Sequence, residues 1–255
     1  MVIHHRRQRF GDMLLAVDGV SLDVVDGEFV AIVGPSGCGK TTFLNAVDGL
    51  LPVTSGTLSL GGKDITAPGR DRAMVFQQPS LLPWRTVSKN IAYGLELQGA
   101  KPAEARERAQ HFIDLVALRG FEEAFPLELS GGMQQRANLA RALAVDPAVL
   151  LLDEPFAALD AQTRETMQLE LLRVWNATRK MAVFITHDIV EAVYLADRVI
   201  VFTARPGRVK EILTVDLPRP RDLRVKRDPR FLEIETRIWE SIREEAARDT
   251  MAATA

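Results

Sequence analysis

The residues with the clearest chemical potential are Gly34 to Thr42, GPSGCGKTT, placed directly behind the apolar run Phe29-Val30-Ala31-Ile32-Val33. A buried strand that ends in small residues and opens a helix leaves backbone N–H groups aimed at an anion. Gly34, Gly37 and Gly39 let the backbone approach phosphate, Lys40 reaches the terminal phosphates as a point charge, and Thr41 offers a hydroxyl to Mg2+. The pattern G-x-x-x-x-G-K-[ST] is met at Gly34, Gly39, Lys40 and Thr41. The plainer alternative is a glycine-rich turn with a fortuitous lysine. The strand before the loop and the helix-like FLNAVDGLL after it supply the context that the phosphate reading requires.

Two further clusters stand at the ends of apolar runs. Val149-Leu150-Leu151-Leu152 stops abruptly in Asp153-Glu154-Pro155, and Ala182-Val183-Phe184-Ile185 stops in Thr186-His187-Asp188. Fully apolar runs of this length read as buried parallel strands, whose carboxyl ends are where open α/β sheets bind ligands. Asp153 suits Mg2+ held through water, Glu154 suits a group that orients or deprotonates an attacking water, and His187 shares the same edge. A third cluster is Leu129-Ser130-Gly131-Gly132-Met133-Gln134-Gln135-Arg136, running into ANLARALAV. Ser130 is placed to cap that helix, and each glycine in its first turn costs about 1 kcal/mol against alanine. Close approach to an anion would account for that cost.

The elements that must position these clusters alternate along the chain. Leu15, Val17, Val20, Leu22 and Val24 read as short antiparallel strands, Thr57–Gly62 as a strand and turn, and Ala73-Met74-Val75-Phe76 as a second buried strand ahead of Gln77. Helical spacing follows from about Ser88, from Pro102 to about Leu118, and from Thr163 to about Lys180. Val199–Phe202 and Arg205-Pro206-Gly207-Arg208 read as strand and turn. After Asp228-Pro229, a stripe of Phe231, Ile234, Ile238 and Ile242 with Trp239 predicts a docked amphipathic helix.

The 255 residues are 47% hydrophobic and 26% charged, a composition that supports a substantial core. A net charge of −2 gives no global basic field for nucleic acid. No run approaches the ~20 apolar residues that cross a bilayer, and the N-terminus has no signal-peptide pattern, so a cytoplasmic chain is expected. The single cysteine, Cys38, excludes an internal disulfide and a multi-cysteine metal site. Its place within the phosphate loop makes thiol alkylation a route to blocking nucleotide binding, unless it is a small filler.

Taken in order, these motifs resemble those of ATP-binding cassette (ABC) transporter ATPase subunits over about residues 10 to 215. GPSGCGKTT looks like the Walker A loop, which implies nucleotide contacts from Gly34, Pro35, Ser36, Gly37, Cys38, Gly39, Lys40, Thr41 and Thr42. Gln77 resembles the Q-loop glutamine, LSGGMQQR the signature with Ser130, Gly131, Gly132 and Gln134, LLLDEP the Walker B strand, Ala158-Leu159-Asp160 the D-loop, and His187 the switch histidine. Phe10 is similar to the aromatic that stacks on adenine.

The resemblance implies an α/β fold, a P-loop NTPase (RecA-like) core with a small antiparallel β subdomain and an inserted α-helical subdomain. The expected division is a core over 1–78 and 146–215, a helical signature subdomain over 79–145 and a C-terminal helical extension over 216–255. It implies ATP and Mg2+ as cofactors, with Glu154, His187, Gln77 and Lys40 catalytic and Thr41, Gln77 and Asp153 at the metal. It further implies a head-to-tail homodimer burying two ATP, and a membrane permease docked near Gln77–Trp84. By the same resemblance an extracytoplasmic substrate-binding protein would take part indirectly, no nucleic acid would be involved, and the chain would be peripheral on the cytoplasmic face of the inner membrane. PSLLPWRTVSKNIAYGLEL and FTARPGRV resemble the importer subgroup for nitrate, sulfonate or taurine. The rival functions are a soluble ABC ATPase acting on DNA or ribosomes, and a small-metabolite kinase, which leaves LSGGMQQR unexplained. The absence of a heptad insertion, a second cassette and a basic stripe speaks against the first.

Overall fold

The computed structural model describes residues 3–6 and 13–254. In chain order its elements are β1 (Ile3–Arg6), β2 (Met13–Val17), β3 (Phe29–Val33), α1 (Lys40–Asp48), β4 (Ser59–Leu60), β5 (Lys63–Asp64), β6 (Arg72–Val75), α2 (Val87–Leu97), α3 (Pro102–Leu115), α4 (Gly131–Ala144), β7 (Val149–Asp153), α5 (Ala161–Thr178), β8 (Met181–Ile185), α6 (Ile189–Leu195), β9 (Arg198–Phe202), β10 (Val209–Thr214) and α7 (Pro229–Thr254). The chain divides into two compact units, one of residues 1–69 with 181–255 and one of residues 70–180.

In the first unit β3 lies between β8 and β9, parallel to both, with Ile32 level with Ile185 and with Ile200. All of β3 is buried, which is why its sequence is unbroken apolar rather than alternating. Phe29 tilts against Phe184, and Phe43 of α1 meets Phe202 edge to face at 5.7 Å. β10 returns antiparallel along β9. β1–β2 and β4–β5 form the two small antiparallel pairs.

The C-terminal helix α7 buries Phe231, Ile234 and Ile238 as its stripe predicts, but Trp239 is 51% exposed with the Arg243 guanidinium over its ring. The physical reason is the helical step: one residue beyond Ile238 lies about 100° around the axis, off the buried face. Arg221 is buried between α6 and the segment before α7, donating to the carbonyls of Val193, Tyr194, Ala196, Val215 and Leu217. It satisfies the carbonyls left open at the end of α6. That burial, with Arg219 beside it, pulls its pKa down to about 10.

In the second unit β6 and β7 pair in parallel, Val75 level with Leu152, and α2, α3 and α4 are inserted between them. β6 ends one residue before the expected Phe76, which is exposed. Gly94 admits the close packing of α2 on the end of α4, since a Cβ there would lie 2.3 Å from Val145 Cγ1. Among the described residues no helix is long and apolar enough to cross a membrane.

Candidate functional site

Because β3, β8 and β9 run in parallel, the segments that follow them emerge at one edge of the first unit. They are the loop 34–39, the pair Thr186-His187, and the turn 203–208. The loop is shaped by steric necessity. Gly39 has φ +102 and a Cβ there would stand 2.5 Å from the Ala16 carbonyl, so only glycine fits on both counts. Gly39 also precedes α1 without offering any side-chain cap. Lys40 is only 7% exposed, and its ammonium spans the loop, donating to the carbonyls of Gly34 at 2.8 Å and Pro35 at 3.1 Å. Cys38 Sγ lies 3.8 Å from the same ammonium. Burial pushes the Cys38 thiol up and the nearby Lys40 only partly offsets this, so the sulfur is a packed thiol. Ser36 and Thr41 are exposed along the loop, Thr42 half-buried.

At the end of β8, Thr186 is locked on both sides. Its hydroxyl donates to the buried Glu191 carboxylate at 2.5 Å and accepts from the Asp188 N–H at 3.0 Å, while Asp188 caps α6 through the Glu191 N–H. His187 is thereby presented outward, exposed, on a rigid strand end. Phe10 lies outside the described residues.

The second unit makes its own edge. The parallel pairing of β6 with β7 brings Gln77, exposed two residues past Val75, to the side where Asp153 and Glu154 close β7. Glu154 has φ +44, a left-handed conformation that costs a non-glycine residue about 1 kcal/mol or more. Its carbonyl accepts from the Ala157 N–H, closing a tight turn directly after the strand. Ser130 caps α4, accepting from the Met133 N–H, as its position in the sequence leads one to expect. Gln134 folds back to donate to the Leu129 carbonyl. Gly132 is buried, and a Cβ there would meet Thr163 Cγ2 of α5 at 2.9 Å; at Gly131, exposed, a Cβ would find only Leu159 at 3.9 Å. Packing within the chain thus requires glycine at 132 but not at 131. Asp160 caps α5, and the hydrogen bonds from Thr163 hold its carboxyl below the usual range.

Three residues that organise these edges were not among the candidate site residues. Asn90, fully buried, accepts from the Leu82 N–H and donates to the carbonyls of Leu82, Arg85 and Thr86. Arg141 of α4 donates to the carbonyl and the hydroxyl of Ser80, both at 2.6 Å. Together they fix the loop that exposes 71% of Trp84. The third, Arg205, donates from Nε to the Gly37 carbonyl at 3.0 Å. The one available signal was polarity at positions flanked by apolar helix residues, which marks Asn90 but names none of its partners.

The ABC transporter family model matches residues 17–157. An uncharacterized ABC transporter ATP-binding protein of Methanocaldococcus jannaschii is 51% identical over 238 residues, covering 93% of this chain and 88% of its own. The nitrate import ATP-binding protein of Synechocystis is 44% identical over 94% of this chain and 92% of its own, and the taurine import ATP-binding protein of Rhizobium johnstonii 47% over 90% of each. Among solved structures, a dimeric post-hydrolysis ATP-binding cassette bound to ADP and Pi is similar, with a TM-score of 0.73 at 31% identity, covering 85% of this chain and 97% of that one. The parallel strands, the inserted helices and the small antiparallel pairs are accordingly those of a P-loop NTPase core with an antiparallel β subdomain and a helical insertion.

Proposed function

This chain belongs to the ABC transporter family as an ATP-hydrolysing subunit, and from that premise we propose that it drives an importer of small anions of the nitrate, sulfonate or taurine kind. The observation that carries the chemistry is the start of α1, where no side chain caps the helix and a buried lysine reaches across the loop. Such a helix start, with its dipole and without a side-chain cap, suits phosphate.

In the first unit the loop from Gly34 to Thr42 wraps the phosphates, Lys40 faces the β- and γ-phosphates and His187 contacts the γ-phosphate. Phe10 is assigned to the adenine. In the second unit Glu154 orients the attacking water and takes its proton as the water oxygen bonds to the γ-phosphorus and ADP departs. Thr41, Gln77 and Asp153 are hard oxygen donors, and no group of three or more His, Cys, Asp or Glu stands together among the described residues. That set suits Mg2+, which uses one or two carboxylates and takes its remaining ligands from phosphate and water. When bound, the ion neutralises charge on the phosphates.

The working unit in this reading is a head-to-tail homodimer. Ser130, Gly131, Gly132 and Gln134 of one copy close over the ATP of the other, with Asp160 nearby. The room for a Cβ at Gly131, which would meet only Leu159 at 3.9 Å, supports it, since packing within the chain does not require glycine there. ATP favours the closed dimer because its phosphates touch both copies, and hydrolysis removes that preference. Trp84, exposed on a loop fixed by Asn90 and Arg141, is the docking point for a permease, which places the chain peripherally on the cytoplasmic face of the membrane. Substrate is selected by the permease and an extracytoplasmic binding protein.

The test is reconstitution of the chain with a permease in proteoliposomes. ATP hydrolysis should rise when a binding protein loaded with nitrate or taurine is added. Hydrolysis that ignores permease and binding protein but responds to DNA or ribosomes would contradict the proposal.

A further inference from the structure

The turn between β9 and β10 contains two arginines with different fates. Arg208 pairs with Asp18, a staple between two parts of the fold. Arg205 serves no such purpose: its Nε donates to the Gly37 carbonyl, inside the phosphate loop, and its Nη2 lies where a Cβ on Gly37 would be, 2.4 Å from that position. The rest of the turn is fixed independently of Arg205. The Thr203 hydroxyl sits 2.9 Å from the carbonyls of Ala204 and Pro206 and accepts from the Arg208 N–H. Gly207 donates to the Ala16 carbonyl, accepts from the Asp18 N–H, and packs so tightly on the loop that a Cβ would stand 2.3 Å from the Cys38 carbonyl. From the other side the Glu245 carboxylate of α7, only 4% exposed and paired with Lys210 and Arg248, accepts from the Ala204 N–H at 3.3 Å.

We propose that Arg205 is a positioning residue for the nucleotide: carried on a turn braced by the C-terminal helix, it holds the Gly37–Cys38 peptide so that the Pro35–Cys38 turn of the phosphate loop is formed before nucleotide arrives. The physical chain is short. Gly37 has φ +73 and no side chain, so its backbone has many alternatives. A guanidinium on its carbonyl selects one of them. Because the peptide is planar and trans, the Cys38 N–H then points the opposite way, where it meets the Pro35 carbonyl at 3.3 Å and closes the loop's first turn. A loop ordered beforehand spares the nucleotide the cost of ordering it. The charge on Arg205 adds an attraction for the phosphates that salt screens.

This inference rests on loop 34–42 being the phosphate cradle, and binding of a fluorescent ATP analogue separates the two. Arg205→Met should weaken binding about tenfold, the scale of one charged hydrogen bond partly exposed to water, and raise KM for ATP by more than it lowers kcat. Arg205→Lys, which keeps the charge but loses the planar fork, should restore part of the affinity. The melting temperature should stay at the wild-type value in both, because the turn keeps its other bonds. Wild-type affinity in Arg205→Met overturns the inference, as does a loss of affinity matched by a fall in melting temperature. Lys40→Ala binding as tightly as wild type would instead sink the cradle itself.

Discussion

The two units hold their candidate site residues in opposite ways. In the first, the reactive loop is woven into the fold. Lys40 is buried and holds two loop carbonyls, Gly39 is pressed against Ala16, and the turn 203–208 braces the loop from outside. In the second, Gln77, Asp153 and Glu154 stand exposed or half-exposed at strand ends, and Glu154 is held in a left-handed conformation. On the proposed reading the first arrangement prepares a rigid receptor for an anion. The second spends local strain to aim a carboxylate, a cost that accompanies chemistry more often than packing. Removing the buried Lys40 should therefore cost binding and stability together in the first unit, whereas removing the exposed Arg205 should cost binding alone, and turnover should move alone in the second.

The sharpest way to break this contrast is Glu154→Gln, which should cut phosphate release about 1000-fold, within the range of general-base removal, with no change in melting temperature. A parallel loss of stability would show that Glu154 is structural. In the first unit Arg221→Met should lower unfolding free energy by about 3 kcal/mol in denaturant titration, because several buried carbonyls lose their donor at once. An unchanged midpoint would mean that water replaces the guanidinium at the end of α6. Lys40→Ala should weaken ATP binding about 30-fold, as expected for a charged partner of phosphate, and should also lower the melting temperature, since two loop carbonyls lose their donor. Weakened binding without that drop would deny that the loop is part of the fold's stability. The smallest effect is Ser130→Ala, which removes the α4 cap and should cost about 1 kcal/mol of stability.

What the sequence disclosed follows the same division between local and distant causes. The strand–loop–helix at Gly34–Thr42, the acids after β7 and the Ser130 cap were legible because each is set by neighbours a few positions away. Trp239 and Phe76 were placed on buried faces that the helical step and the strand end deny them. Arg221 and Glu245 carried no signal, and the patterns that hold Arg205 and Asn90 named none of their partners, because only a tertiary partner gives them a purpose. Gly37 lies 168 positions from Arg205, and Ala204 lies 41 positions from Glu245. A polar side chain on a turn or a helix reads as solvated until the fold supplies what it holds.

The central claim, that one chain supplies a rigid phosphate receptor and a separable hydrolytic group and needs a second copy to close over ATP, meets its most direct test in the mass of Glu154→Gln in solution. By light scattering with saturating ATP and Mg2+, that variant should have twice the mass of the chain, falling to a single chain when ATP is replaced by ADP. A single-chain mass under both conditions, in protein shown to bind ATP, would contradict the account.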